Sequence, residues 1–188
     1  AESKALRHAF VSERRAARPT GTKGATPGTV ATLGLVGSGS FAMGIAMAAL
    51  DHGLKVRLLG SGADQLVRDQ QRINAAYTRA AQQGRITPEL RDARLGRLMA
   101  STRVDSLAGA DLVLEATSGS AAARARLLAR VEEFLPEEVV LATVADRGFA
   151  RMAQDLAHPE RFLGLHVFAP SQATRVVELA RPDHVSPQ

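Results

Sequence analysis

The chain has 188 residues, 45% of them hydrophobic and 23% charged, with a formal net charge of +5 and no cysteine. That length holds one domain with a real core plus an appendage. A disulfide framework, thiolate chemistry and a bilayer-spanning apolar run are excluded, and 4% aromatic residues are too few for the stacking platforms of a nucleic-acid binder. Lys4, Lys23 and Lys55 are the only lysines; the other basic residues are Arg, spread along several predicted helices. They read as solvated helix faces with a mild attraction toward a polyanion such as a dinucleotide or coenzyme A. The start Ala1-Glu2-Ser3-Lys4 carries no signal-peptide pattern, so the expected compartment is the cytoplasm.

Residues 1–18 read as a helix, capped by Ser3, with Leu6 and Phe10 on one face and Arg14, Arg15 and Arg18 toward the end where cations suit the dipole. Pro19 stops it, and 19–28 is a flexible linker by composition. The main domain spans 29–180, and 181–188 is a tail. Val30 to Val36 reads as a strand, which turns through Gly37-Ser38-Gly39 into a helix to about His52. A strand at Lys55 to Leu59 and an amphipathic helix from Asp64 to Gln83 follow, with Leu66, Ile73 and Tyr77 near one face. Thr87-Pro88-Glu89-Leu90 opens a helix that runs to about Met99. Further strands are expected at Arg103-Val104, Asp111 to Glu115, Val139 to Val144, Phe162 to Phe168 and Arg175 to Leu179. Helices are expected at Ala121 to Phe134 and Gly148 to Ala157. Strands alternating with helices predict an α/β fold: a doubly wound, mostly parallel sheet of Rossmann type.

The turn after the first strand carries the chemistry. Gly37, Gly39 and Ala42 form the pattern G-x-G-x-x-A, an accepted form of the dinucleotide fingerprint. Gly37 permits the tight turn out of the strand. Gly39 lets a pyrophosphate approach the backbone, and Ala42 lets the helix pack closely on the strand. The free N–H groups at the helix start face the phosphates with the positive end of the helix dipole. The expected diphosphate cradle is therefore Gly37, Ser38, Gly39, Ser40, Phe41 and Ala42.

With those motifs placed, Val30 to Leu179 resembles the NAD-binding domain of 3-hydroxyacyl-CoA dehydrogenases. The marks are Gly37-Ser38-Gly39 with Gly44-Ile45-Ala46, then Ala110-Asp111-Leu112-Val113-Leu114-Glu115-Ala116, then Gly164-Leu165-His166-Val167-Phe168-Ala169-Pro170 followed by Val176-Val177-Glu178. The opening Glu2-Ser3-Lys4-Ala5-Leu6-Arg7 resembles the segment that joins a hydratase/isomerase domain to this domain in multifunctional fatty-acid oxidation proteins. The resemblance implies NAD-dependent oxidation of 3-hydroxyacyl-CoA to 3-ketoacyl-CoA in fatty-acid β-oxidation, by one domain of a larger, homo-oligomeric protein. It implies an acyl-CoA substrate, a neighbouring hydratase/isomerase domain and a helical C-terminal domain. It assigns His166 as the base that takes the hydroxyl proton and Glu178 as the carboxylate that orients the imidazole. It also puts Gly60 and Arg124 at the cofactor, Arg124 standing where the family has Lys.

The chain departs from the family in the polar shell. Gly60 stands where the family has an Asp for the adenosine ribose hydroxyls, and Gly119 where it has a cofactor-contacting Glu. Thr143-Val144-Ala145-Asp146 replaces Asn-Thr-Ser, and Ala169 replaces an Asn. The neutral turn at Gly60 leaves those hydroxyls without their usual acceptor, or makes room for the 2′-phosphate of NADP with Arg57 or Arg68 as partners. Two alternatives to an NAD enzyme follow: a catalytically degenerate structural domain, and a dehydrogenase shifted to NADP or another hydroxy acid. No metal site is expected, because the acids are scattered and no His or Cys cluster occurs. Asp146 beside Arg147 reads as a surface pair, and His8, His52, His158 and His184 as surface or turn residues.

Overall fold

A computed structural model describes residues 2–16, 28–144, 148–168 and 177–181. The chain divides into two units, the second of which, Thr29–Val185, holds the sheet. In the first, helix α1 (Glu2–Ala16) carries exposed Leu6 and Phe10.

The sheet contains β1 (Thr32–Val36), β2 (Lys55–Leu59), β3 (Leu98–Ser101), β4 (Leu112–Glu115), β5 (Val140–Val144), β6 (Phe162–Val167) and β7 (Val177–Ala180). Their order is β3-β2-β1-β4-β5-β6-β7. All neighbours are parallel except β6 and β7. The helices of this unit are α2 (Gly39–Asp51), α3 (Ala63–Gln82), α4 (Pro88–Leu95), α5 (Ala121–Glu132) and α6 (Phe149–Met152). This is the doubly wound architecture that the alternating pattern predicts.

Short apolar strands suit a parallel sheet covered on both faces. On one face Leu33, Leu35 and Leu58 pack with Ala42, Ile45, Ala46 and Leu50 of α2 and with Ile73 and Tyr77 of α3. On the other, Val36, Val113, Leu141 and Phe162 pack with Ala125, Leu128 and Val131 of α5 and with Met152 of α6. Polar side chains then fix the ends. The Asp111 carboxylate accepts from the backbone N–H of Ala31 and of Thr32, each at 2.8 Å, which pins the start of β1 beside β4. The Tyr77 hydroxyl donates to Asp51 at 2.8 Å and so ties α3 to the end of α2. Thr87 caps α4 by accepting from Leu90 N–H at 3.2 Å, and Ser120 caps α5 by accepting from Ala123 N–H at 3.3 Å.

Two local expectations are corrected. The third strand lies at Leu98–Ser101 rather than Arg103-Val104, because α4 ends at Leu95 and Gly96 closes it with a bond to the Asp92 carbonyl. The next residues are thereby released to pair with Val56–Leu59. Val104–Leu107 is a 3₁₀ turn that buries Leu107. The helix expected from Gly148 to Ala157 is α-helical over only Phe149–Met152, then tightens to a 3₁₀ turn at Ala153–Asp155. Its continuation is diverted by Glu132, a buried carboxylate that accepts from the N–H groups of Ala157 (2.7 Å) and His158 (3.0 Å) and pairs with Arg161 at 3.1 Å.

The side chain of Ser3, the linker before Gly28, Ala145, Asp146, Arg147, Ala169, Pro170, Arg175, Val176 and the tail from Pro182 lie outside the described residues. Among the described residues, no helix is long and apolar enough to cross a membrane, and no group of three metal-binding side chains occurs.

Candidate functional site

In an open parallel sheet, ligands bind outside the carboxyl ends of the strands where the strand order reverses. Here that point lies between β1, which leads to β2 on one side, and β4 on the other. A cleft of ≈ 450 Å³ opens there, lined by the ends of β1 and β2, by Thr102 and Val104, by Thr117-Ser118-Gly119 after β4, and by α5.

The glycine turn forms one wall. Gly37 donates its N–H to the Leu59 carbonyl at 3.0 Å, and a Cβ on it would stand 2.8 Å from the Ala116 carbonyl oxygen. Only a residue without a side chain lets β1 turn this close to the chain leaving β4. Gly39 has φ +81° and open space where a Cβ would sit, so its surface stays accessible to a ligand. Ser38, the N-cap of α2, makes no side-chain cap bond. Instead the Asp69 carboxylate of α3 accepts from Gly39 N–H at 3.1 Å and from the Gln65 amide at 2.9 Å. The amides of Ser40 and Phe41 follow in the first turn, where no intrahelical acceptor exists. Ala42 is buried against the sheet, as close helix packing requires. These residues fit a diphosphate: a turn at Gly37 that a Cβ would fill, an open Gly39 surface, and the Ser40 and Phe41 amides of the first helical turn.

The loop after β4 is held by a buried ionic network. Glu115 ends β4 with no exposed surface and Arg124 of α5 is 5% exposed. Arg124 Nε donates to Glu115 Oε2 at 2.9 Å, and its Nη2 donates to the Thr143 hydroxyl (2.6 Å) and the Val144 carbonyl (2.8 Å). Thr143 donates in turn to Glu115 at 2.5 Å, and Thr117 N–H donates to the same carboxylate at 2.7 Å. The Thr117 hydroxyl also donates to Glu115. A buried carboxylate is tolerable only when its lone pairs are satisfied this fully. Arg124 thus borders the cleft while its guanidinium locks the ends of β4 and β5 together.

His166 sits near the carboxyl end of β6, on the same sheet edge, and stands directly opposite Glu178 of β7 in the antiparallel register. Side chains of such partners share a face of the sheet with Cβ atoms about 4.5–5.5 Å apart. Both residues are exposed, and the His166 ring packs against Phe168 at 4.5 Å between centroids. His166 and Glu178 do not line the cleft, whose lining stops at the β1, β2 and β4 side.

Gly60 lines the cleft, and its N–H donates to the Ser101 carbonyl at 3.0 Å. A Cβ there would lie 2.9 Å from Leu66 Cδ1, so Leu66 occupies the space into which a side chain would project. Gly119 also lines the cleft, with nothing within 4 Å of a Cβ position. Arg57 and Arg68 are the cations suggested for a ribose phosphate. Arg57 donates to the Ser106 carbonyl at 2.9 Å and Arg68 to Gln65 at 2.8 Å, and neither lines the cleft.

Two organising carboxylates escape the motif reading. Glu115 is visible as an acid closing an apolar strand. Asp69 falls on the apolar stripe of α3 with Leu66, Ile73 and Tyr77, and an acid on a buried stripe signals a polar partner.

Fold, glycine turn and cleft together define a Rossmann-type dinucleotide-binding domain. The family model described as 3-hydroxyacyl-CoA dehydrogenase, NAD binding domain, matches residues 32–188. The 3-hydroxyadipyl-CoA dehydrogenase of Escherichia coli (strain K12) is 34% identical over 151 residues, which cover 80% of this chain and 32% of that protein. The fatty acid oxidation complex subunit alpha of Acinetobacter baylyi is 27% identical over 165 residues, covering 87% of this chain and 23% of that one. The crystal structure of 3-hydroxybutyryl-CoA dehydrogenase from Escherichia coli K12 superimposes with a TM-score of 0.80 at 32% identity, covering 84% of this chain and 34% of the other. The chain belongs to the 3-hydroxyacyl-CoA dehydrogenase family, as its NAD-binding domain. It spans about a third or less of the length of these relatives.

Proposed function

We propose that this chain binds NAD for the oxidation of a 3-hydroxyacyl-CoA to a 3-ketoacyl-CoA in fatty-acid β-oxidation, as one domain of a longer polypeptide. The observation that carries the reading is the shared sheet edge: a glycine-turn cleft at β1 and β4, and a His–Glu cross-strand pair at β6 and β7. Gly37, Ser38, Gly39, Ser40, Phe41 and Ala42 hold the diphosphate, Gly60 borders the adenosine ribose, and Arg124 keeps the loop after β4 in place. NAD, when bound, supplies the acceptor for the hydride that leaves the substrate carbon. His166 takes the hydroxyl proton on one ring nitrogen. Glu178 accepts from the other, fixes the tautomer and stabilises the imidazolium.

In this reading the domain covers 29–180. A linker helix (1–18) and the linker 19–28 join it to a hydratase/isomerase domain, and the tail (181–188) leads to a helical domain that completes the acyl-CoA site. The parent protein is a cytoplasmic homo-oligomer. The relatives named as a 3-hydroxyadipyl-CoA dehydrogenase and as a fatty acid oxidation complex subunit support the dehydrogenase reading and a longer parent polypeptide.

A second reading, a structural domain that has lost its cofactor, is favoured by Gly60 and Gly119, which offer no side chain to the cleft. Calorimetric titration of the chain with NAD separates the two. Micromolar affinity supports the enzyme; no heat with any nicotinamide dinucleotide supports the structural domain and sinks the enzyme.

A further inference from the structure

We infer that Asp69 is a positioning residue for the dinucleotide: from α3 it holds the Gly39 amide in place, and its charge sets how tightly the start of α2 grips the diphosphate. The inference rests on the dinucleotide reading above and concerns what tunes that grip. Asp69 has no exposed surface and is not among the residues that line the cleft. A buried carboxylate is stable only where donors meet its oxygens. Here one oxygen accepts from Gly39 N–H at 3.1 Å and the other from the Gln65 amide at 2.9 Å. Arg72 places Nη1 3.9 Å from the carboxylate, but its side chain is 60% exposed, so water screens that pairing. Leu66, Ile73 and Tyr77, on the same stripe of α3, pack with α2 and the sheet, so the carboxylate is carried by a fixed backbone.

The first turn of α2 contains no acid, and its N-cap Ser38 makes no side-chain bond. The anion that a helix start attracts therefore comes from Asp69, thirty residues away. It acts in two opposing ways. By accepting from Gly39 N–H it holds the turn at φ +81°, with the Gly39 surface open, which favours the ligand. It also takes one amide from those offered to a diphosphate, leaving Ser40 and Phe41 in the first turn. And it sets a negative charge at the positive end of the helix dipole before any phosphate arrives. Geometry thus favours binding while charge opposes it, and an amide of the same shape separates the two.

Calorimetry of the chain with NAD, on the unaltered protein and on Asp69→Asn, Asp69→Ala and Asp64→Asn, tests this. Asparagine keeps an oxygen for Gly39 N–H and removes the charge. Asp69→Asn should therefore bind NAD roughly tenfold more tightly, because a buried charge acts through an effective dielectric of about 20 rather than that of water. Asp69→Ala removes charge and holder together and should bind more weakly than Asp69→Asn. Asp64→Asn removes an exposed acid from the same helix and should change nothing. Melting temperatures report whether each variant is folded. If Asp69→Asn does not fold, Arg72→Ala carries the test. With the carboxylate less offset, NAD should bind roughly threefold more weakly, while Arg79→Ala, in the last turn of α3, leaves the affinity unchanged. A folded Asp69→Asn that binds NAD no more tightly than the unaltered protein overturns this inference and leaves the dinucleotide reading standing. So does an Asp69→Ala as tight as Asp69→Asn, or an equal effect of Arg72→Ala and Arg79→Ala. Binding by Asp69→Asn with the unaltered chain silent supports the inference and sinks the dinucleotide reading of the native sequence. Binding by none overturns both.

Discussion

His166 of β6 and Glu178 of β7 are register partners, twelve residues apart in sequence and directly opposite across an antiparallel pair. The pairing turns a sequence spacing into a geometry. It puts an imidazole and a carboxylate on one face of the sheet.

If this pair performs the proton transfer, replacing His166 with Gln in the polypeptide that also carries the helical domain should reduce turnover by about 10²–10⁴-fold. Glu178→Gln should cost less. A loss below about tenfold for His166→Gln argues against a base role.

Gly37 and Gly39 should fail in different ways. Gly37→Ala drives a Cβ against the rigid Ala116 carbonyl, so it should lower the melting temperature strongly and abolish dinucleotide binding together with the turn. Gly39→Ala meets no atom and carries only the positive-φ penalty of about 1–2 kcal/mol. It should leave the protein folded with weakened NAD affinity. Melting curves and calorimetry on the two variants distinguish a steric from a ligand-contact requirement.

Arg124→Met should destabilise by about 3–5 kcal/mol, because it strands the buried Glu115 carboxylate. Combining it with Glu115→Gln should restore part of that loss, since no unpaired charge remains. Urea unfolding of the single and double variants measures the coupling. Additive losses would mean that the two side chains do not act as a unit.

Tyr77 links stability to alkaline pH. Burial, and then the hydrogen bond to Asp51, push its phenol above the usual tyrosine range. The folded state therefore holds the proton to higher pH than the unfolded chain. The resulting stabilisation is complete below the unfolded value of about 10 and is lost as pH rises from there through the folded value. Tyr77→Phe should be less stable by about 1.5–3 kcal/mol at neutral pH, the range for a hydrogen bond to a charged group. Its deficit should shrink between about pH 10 and 11. Chemical denaturation across that range checks both parts.

What the amino-acid order determined by itself was everything that depends on near neighbours. Period and punctuation placed most of the elements, Thr87-Pro88 marked the start of α4, and Gly37-Ser38-Gly39 marked a phosphate-sized turn. Where local cues compete, tertiary structure decided. β3 lies at Leu98–Ser101 because β2 offers an open edge there, and the helix after Gly148 stops because Glu132 captures the amides that would extend it. The fates of the charged side chains were also tertiary decisions. Arg124 reads equally well as a phosphate ligand or a structural cation until Glu115 is seen against it, and Arg57 until Ser106 is. Asp69, on the apolar stripe of α3, signals some polar partner, but that partner is named only when the carboxylate is found on the amide of Gly39, thirty residues away. Hydrophobic period reports which face of an element is buried; it carries no information about which distant polar group will be waiting there, because that partner is chosen by how the elements pack.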